Sequence, residues 1–174
     1  MLQTRRLKFI CVAFLLACLL ILPCAHAAEQ NSGTSGGDSL NLVPATALDI
    51  VKEIISHRGK VVVVNFYAAW CPPCRREIPH LKSLREFFSA SELVIIGVSL
   101  DESHQDYTRF VELMGITYPT HRANSDVTMF FKISSIPVVL YYDREGRLHR
   151  RIVGLQPLDR MKANIQELLR GSAD

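Results

Sequence analysis

The chain is expected to fold as an α/β sandwich around a mixed sheet, and three observations predict it. Two continuous β-branched runs, Val61 to Tyr67 and Leu93 to Leu100, each precede a segment of helical periodicity, as strands buried on both faces of a parallel sheet do. Val138 to Tyr142 and Leu148 to Val153 flank Asp143-Arg144-Glu145-Gly146, a hairpin-type loop that calls for antiparallel strands. Strands alternating with helices, then a hairpin and a last helix, combine both senses in one sheet.

Residues 1–27 hold Arg5, Arg6 and Lys8, an almost unbroken apolar run from Phe9 to Leu22, and Ala25-His26-Ala27. This is the pattern of a secretory signal peptide with an A-x-A cleavage site. Left uncut, the run is long enough, at about 1.5 Å per residue, for a marginal inner-membrane anchor over residues 7–23. Leu15-Leu16-Ala17-Cys18 also resembles a lipoprotein acceptor, but Leu19 to Leu22 would place apolar residues directly after the lipidated cysteine. Each reading exports the rest of the chain to a periplasmic or other extracytoplasmic space. The leader's three basic residues account for the whole excess of 20 Lys and Arg over 17 Asp and Glu. The remainder is balanced in charge, which gives no reason to expect nucleic-acid binding.

Residues 28–39, AEQNSGTSGGDS, are Gly/Ser-rich without apolar periodicity and read as a flexible linker of about 20 Å root-mean-square reach. A single domain is expected over residues 40–174. Its first helix is expected from Thr46 to His57, with Thr46 as N-cap, Gly59 beyond the end, and Leu48, Val51, Ile54 and Ile55 as the apolar stripe. The strand Val61 to Tyr67 leads into a helix from Pro73 to Phe88 with Ile78, Leu81, Leu84 and Phe88 inward, and Pro79 inside it is expected to bend it. After the strand Leu93 to Leu100 come a helix from Gln105 to Met114 closed by Gly115, a short strand at Thr117 to Thr120 and a short helix at Ser125 to Phe131. The hairpin follows, and Leu158 to Leu169 has the pattern of a closing amphipathic helix.

Between the first strand and its helix stands NFYAAWCPPCRREIP, Asn65 to Pro79. Three of the five cysteines, Cys11, Cys18 and Cys24, belong to the leader, so Cys71 and Cys74 remain as a pair. A staple closing so short a loop removes little unfolded-state entropy. A structural metal site would need further ligands, and neither a second cysteine pair nor closely spaced histidines accompany this one, so no metal and no other cofactor is expected. Haem attachment needs a histidine where Arg75 stands. Redox chemistry accounts for more of the residues. A cysteine at the mouth of a helix has its thiolate near unpaired N–H groups and the positive helix end, which suits Cys71 as nucleophile. Cys74, one turn further in, is placed to resolve a mixed disulfide. Sites in such sheets gather at the carboxyl ends of parallel strands, where Cys71 falls.

In this frame Trp70-Cys71-Pro72-Pro73-Cys74 resembles the active site of the thioredoxin superfamily. Val98-Ser99-Leu100-Asp101-Glu102, the helix and strand added between Ser103 and Thr120, and Ile136-Pro137 before the hairpin resemble its exported TlpA/ResA-like branch. The resemblance runs from about Leu40 to Leu169. It implies a thioredoxin-like three-layer sandwich with a central mixed sheet and an inserted βα element, and a redox disulfide between Cys71 and Cys74. It matches Pro137 to a cis-proline facing the site and Ile136 to a residue offering backbone hydrogen bonds to an extended substrate segment. Trp70, expected to cover the disulfide, shares that contact surface with Pro72 and Pro73. Asn65 departs from cytoplasmic thioredoxins, which carry a buried Asp there. Glu77 matches the acidic residue that acts instead in this branch, as proton acceptor or pKa modulator for Cys74. The plainer reading of Glu77 is a surface carboxylate paired with a Lys or Arg, and Arg75 and Arg76 read as solvated charges.

The implied activity is a reductase for disulfides in selected exported proteins, with apocytochrome c as leading target, recharged by a membrane-embedded thiol-disulfide transporter. A dithiol oxidase is the alternative within enzymes. A copper(I)-holding chaperone of the same fold is the alternative outside them, although no methionine or histidine lies near the pair. A peroxiredoxin fits less well, because Trp70 and the C-x-x-C pair stand where its T-x-x-C would be sought. Nothing in the sequence signals oligomerisation, so a monomer is expected.

Overall fold

The computed structural model describes residues 43–171. The expected leader, the linker and the cysteines at positions 11, 18 and 24 lie outside the described residues. The elements in chain order are α1 (Ala47–Ser56), β1 (Val61–Tyr67), α2 (Pro72–Phe87), β2 (Leu93–Ser99), α3 (His104–Met114), β3 (Thr120–Arg122), α4 (Ser125–Phe130), β4 (Val138–Tyr142), β5 (Leu148–Val153) and α5 (Leu158–Arg170). They form one five-stranded sheet in the order β3-β2-β1-β4-β5. β1 pairs in parallel with β2, and β2 with β3, whereas β4 runs antiparallel to β1 and β5 to β4. Among the described residues no helix is long and apolar enough to cross a membrane.

All seven residues of β1 are buried, because the strand is central and helices cover both of its faces. Val61, Val63 and Tyr67 pack with Ile78, Leu81 and Leu84 of α2 and Met161 and Ile165 of α5. Val62, Val64 and Phe66 pack on the other side with Ala47, Ile50 and Ile54 of α1 and with Val127 and Phe131. Alternate residues of one strand thus feed two cores, and the three-layer mixed sandwich read from the sequence is present. Each fully buried Leu or Ile in these layers contributes about 1.5–3 kcal/mol relative to exposure.

Local signals set the helix ends. Thr46 caps α1 by accepting from the Asp49 N–H, and Asp49 in turn accepts from the Thr46 N–H, a capping box. Ser103 caps α3, and Gly115 closes it in the left-handed region at φ 55°. Pro72 and Pro73 occupy the first turn of α2, where their missing N–H groups cost nothing, and the helix runs unbroken through Pro79.

Two expectations are corrected. The buried stripe of α1 is Ala47, Ile50 and Ile54, whereas Leu48 and Ile55 are exposed; an apolar side chain on both faces left the choice of face to the packing partner. The third strand is Thr120–Arg122 rather than Thr117 to Thr120, because Tyr118 turns into the core and the parallel ladder starts where the Gly97 N–H donates to the Pro119 carbonyl.

Candidate functional site

β1 ends at Tyr67, and the next four residues carry the chain to the mouth of α2. The turn is fixed at Ala69. Its N–H donates to both carboxylate oxygens of Asp101, at 3.1 and 3.0 Å, and its carbonyl accepts from Arg75 Nε at 2.9 Å. Asp101 is buried and also accepts from Ser99 Oγ at 2.7 Å. Arg75 is therefore tethered: besides this bond its guanidinium lies over the Phe110 ring, 5.6 Å from the centroid.

Cys71 is the N-cap of α2, and Cys71 and Cys74 are joined by a disulfide. The Cys74 N–H donates to Cys71 Sγ at 3.3 Å, so the sulfur of the first cysteine receives the donor that an N-cap oxygen would take. Both cysteines are buried, with Cys74 at 0 % exposure and Cys71 at 3 %. Trp70, next in the chain to Cys71, stands 67 % exposed beside the buried pair. The Ile136–Pro137 bond is cis, and Ile136 packs against the core cluster that contains Cys71 and Cys74.

Glu77 is fully buried, which removes the reading of a surface carboxylate. Its Oε2 accepts from Asn65 Nδ2 at 2.8 Å and its Oε1 from the Gln156 N–H at 3.2 Å. Burial dominates over these two bonds and pushes its carboxyl from 4.5 up to about 7. Tyr141 and Tyr118 lie near enough to feel its charge, and burial raises both phenols.

Gln156 was not legible as a site residue. It sits in the turn after β5, buried, and bridges the carboxyl to the rest of the fold. Its carbonyl meets His80 Nδ1 at 2.9 Å. Its side-chain Oε1 accepts from Tyr141 Oη at 3.2 Å and from Asn164 Nδ2 at 3.4 Å. Asn164 in turn receives Arg150 Nη1, and Arg150 also reaches Glu167. A glutamine between Leu155 and Pro157 carries no periodic signal of its burial. Asp101 was visible only as part of a motif. Among the described residues no group of three His, Cys, Asp or Glu is arranged to hold a metal ion.

A family model described as the AhpC/TSA family matches residues 49–151. The thiol-disulfide oxidoreductase ResA of Oceanobacillus iheyensis is 29% identical over 111 residues, covering 63% of this chain and 58% of that protein. The thiol:disulfide interchange protein HelX of Rhodobacter capsulatus is 31% identical over 118 residues, covering 67% and 65%. The chain therefore spans less than two thirds of the length of these two curated relatives. A crystal structure of a thiol:disulfide interchange protein, a thioredoxin family protein of Chlorobium tepidum TLS, superposes with a TM-score of 0.61 at 28% identity, over 66% of this chain and 83% of that one.

Proposed function

The chain belongs to the AhpC/TSA family, and we propose that it is an exported thiol-disulfide oxidoreductase that reduces disulfides in selected exported proteins through the Cys71 and Cys74 thiols. The observation that carries this reading is the hydrogen bond from the Cys74 N–H to Cys71 Sγ at the start of α2. In the reduced protein the same N–H and the positive helix end face a thiolate and favour its charged form. The names borne by ResA and HelX support the same chemistry.

The Cys71 thiolate attacks one sulfur of a target disulfide, forms a mixed disulfide with it and expels the other target sulfur as thiolate. Cys74 passes its proton to Glu77 and attacks Cys71 Sγ, which closes the Cys71–Cys74 disulfide and releases the second target sulfur. Two electrons have moved from the protein dithiol to the target. The two target thiolates take up one proton from Glu77 and one from water. The Ile136 backbone next to Pro137 receives the extended target segment, with Trp70, Pro72 and Pro73 flanking it.

The proposed target is apocytochrome c through its haem-binding cysteines, and a membrane-embedded thiol-disulfide transporter returns the electrons. The domain works as a monomer outside the cytoplasm, exported by a leader that is either cleaved after Ala27 or retained as an anchor. The resemblance of the active-site and Val98 to Glu102 segments to the TlpA/ResA-like branch supports the target and the electron donor, and the basic, apolar and A-x-A pattern of residues 1–27 supports export.

The test is trapping. A Cys74→Ser variant incubated with a disulfide-bonded apocytochrome peptide is expected to accumulate a Cys71-linked adduct, read by mass spectrometry, and Cys71→Ser none. An adduct formed only by the Cys71→Ser protein would reverse the assigned roles, and none from either would end the proposal.

A further inference from the structure

Both oxygens of the buried Glu77 carboxyl accept hydrogen bonds, one from an amide side chain and one from a backbone N–H. This arrangement suits a carboxylate. Once the carboxyl takes a proton it must also donate, and a buried O–H without an acceptor costs about as much as a lost hydrogen bond. The Gln156 N–H cannot reverse its polarity. The Asn65 amide can, because its oxygen and NH2 group occupy nearly the same volume. Asn65 is 1 % exposed, and its Oδ1 is a buried acceptor with no hydrogen-bond partner.

We propose that Asn65 is a reversible positioning residue for Glu77: Nδ2 donates to the carboxylate, and when Glu77 gains a proton the amide turns over so that Oδ1 accepts from the carboxylic O–H. Oε1 continues to accept from Gln156 in both states. One proton arrives at Oε2, forming its O–H bond, and leaves again when that bond breaks; no bond between heavy atoms changes. An aspartate at position 65 would set a second carboxylate against the first, and an aliphatic residue would serve neither state.

The surroundings favour a swap confined to this pair. On its own helix the neighbours one turn away are Cys74 and His80, and the His80 ring is engaged with the Gln156 carbonyl. From β1 come Asn65 and Tyr67, whose hydroxyl bonds Thr120. From β4 comes Tyr141, which bonds Gln156, and from the segment before β3 comes Tyr118. These phenols are raised by burial and stay neutral where Glu77 titrates. Among the described residues no Lys or Arg forms an ion pair with Glu77. Arg150, which reaches this network through Asn164, is engaged by Asn164 and Glu167.

The inference rests on the proton-accepting role proposed for Glu77, and its test is separable from that role. In the full chain, oxidised and labelled with 13C and 15N, the Glu77 carboxyl carbon and the Asn65 side-chain amide are followed by NMR across pH 5 to 9. The expected result is one shared midpoint for both groups. A carboxyl that titrates while the Asn65 amide signals stay fixed, or no titration of either, overturns the proposal. Asn65→Leu gives a second readout. A one-way donor lost to a carboxylate would raise the Glu77 midpoint by about one to two pH units, whereas a partner serving both states leaves it within about half a unit. A Glu77→Gln variant with unchanged exchange kinetics would remove the catalytic role of Glu77 and leave the amide swap to the NMR result.

Discussion

At the scale of single residues, Glu77 is a fully buried carboxyl that titrates near neutrality. Its folded value of about 7 lies above the ordinary 4.5, so between these values the native state holds a proton that the unfolded state has released. The associated stability is fully present below about 4.5 and is lost as pH rises through about 7. For this fully buried group the total is about 3 kcal/mol. Urea unfolding of the oxidised protein at several pH values is expected to show wild type losing about that much relative to Glu77→Gln between pH 4.5 and 8. A difference that does not change with pH would contradict the buried, raised carboxyl. Asp101 makes a second prediction. It holds the Ala69 N–H with both oxygens and also the Ser99 hydroxyl, so Asp101→Asn turns an NH2 toward a donor and is expected to cost about 1.5–3 kcal/mol of stability. If the loss falls below about 0.5 kcal/mol by denaturant titration, the clamp on the turn before α2 is not a stabilising contact. The resemblance to the TlpA/ResA-like branch pointed to Glu77, but its partner Gln156 is 79 positions away, and no local pattern encodes that bond.

At the scale of elements, the strands and helices with strong periodicity were legible, and the weak ones depended on tertiary partners. β1 and β2 are continuous buried runs, and α2 keeps Ile78, Leu81 and Leu84 inward as its spacing requires. The face of α1 was not legible because Leu48 and Ile55 offer an apolar side chain on the solvent side. β3 has three residues, and its position is set by Gly97 to Ser99 on the neighbouring strand rather than by its own composition. Gly97 shows how tight that junction is. A Cβ there would lie 2.6 Å from Thr120 Oγ1 and 3.1 Å from the Tyr67 ring, two side chains that bond each other at 2.6 Å. Gly97→Ala is expected to separate them and cost about 1–3 kcal/mol. A thermal midpoint unchanged from wild type would show that β3 yields without cost.

At the scale of the whole molecule, the fold delivers one buried dithiol-forming pair to the carboxyl end of a parallel strand and one buried carboxyl to the same helix. The sandwich, the sheet of mixed sense and the location of Cys71 followed from the order of the elements, because a parallel strand that feeds a helix leaves its functional residues at that junction. The pairing of the distant turn after β5 with α2 closes the site from the other side. The direction of electron flow is a property of this whole arrangement, since it depends on how far the reduced form is stabilised relative to partners. The measurement that tests the account most directly is the redox potential of the Cys71–Cys74 couple in the full chain, equilibrated in graded thiol/disulfide buffers and read by Trp70 fluorescence with thiol trapping. A reductase is expected to show a two-electron transition near or below about −250 mV, whereas a value near about −120 mV, or no two-electron transition at all, would contradict that role.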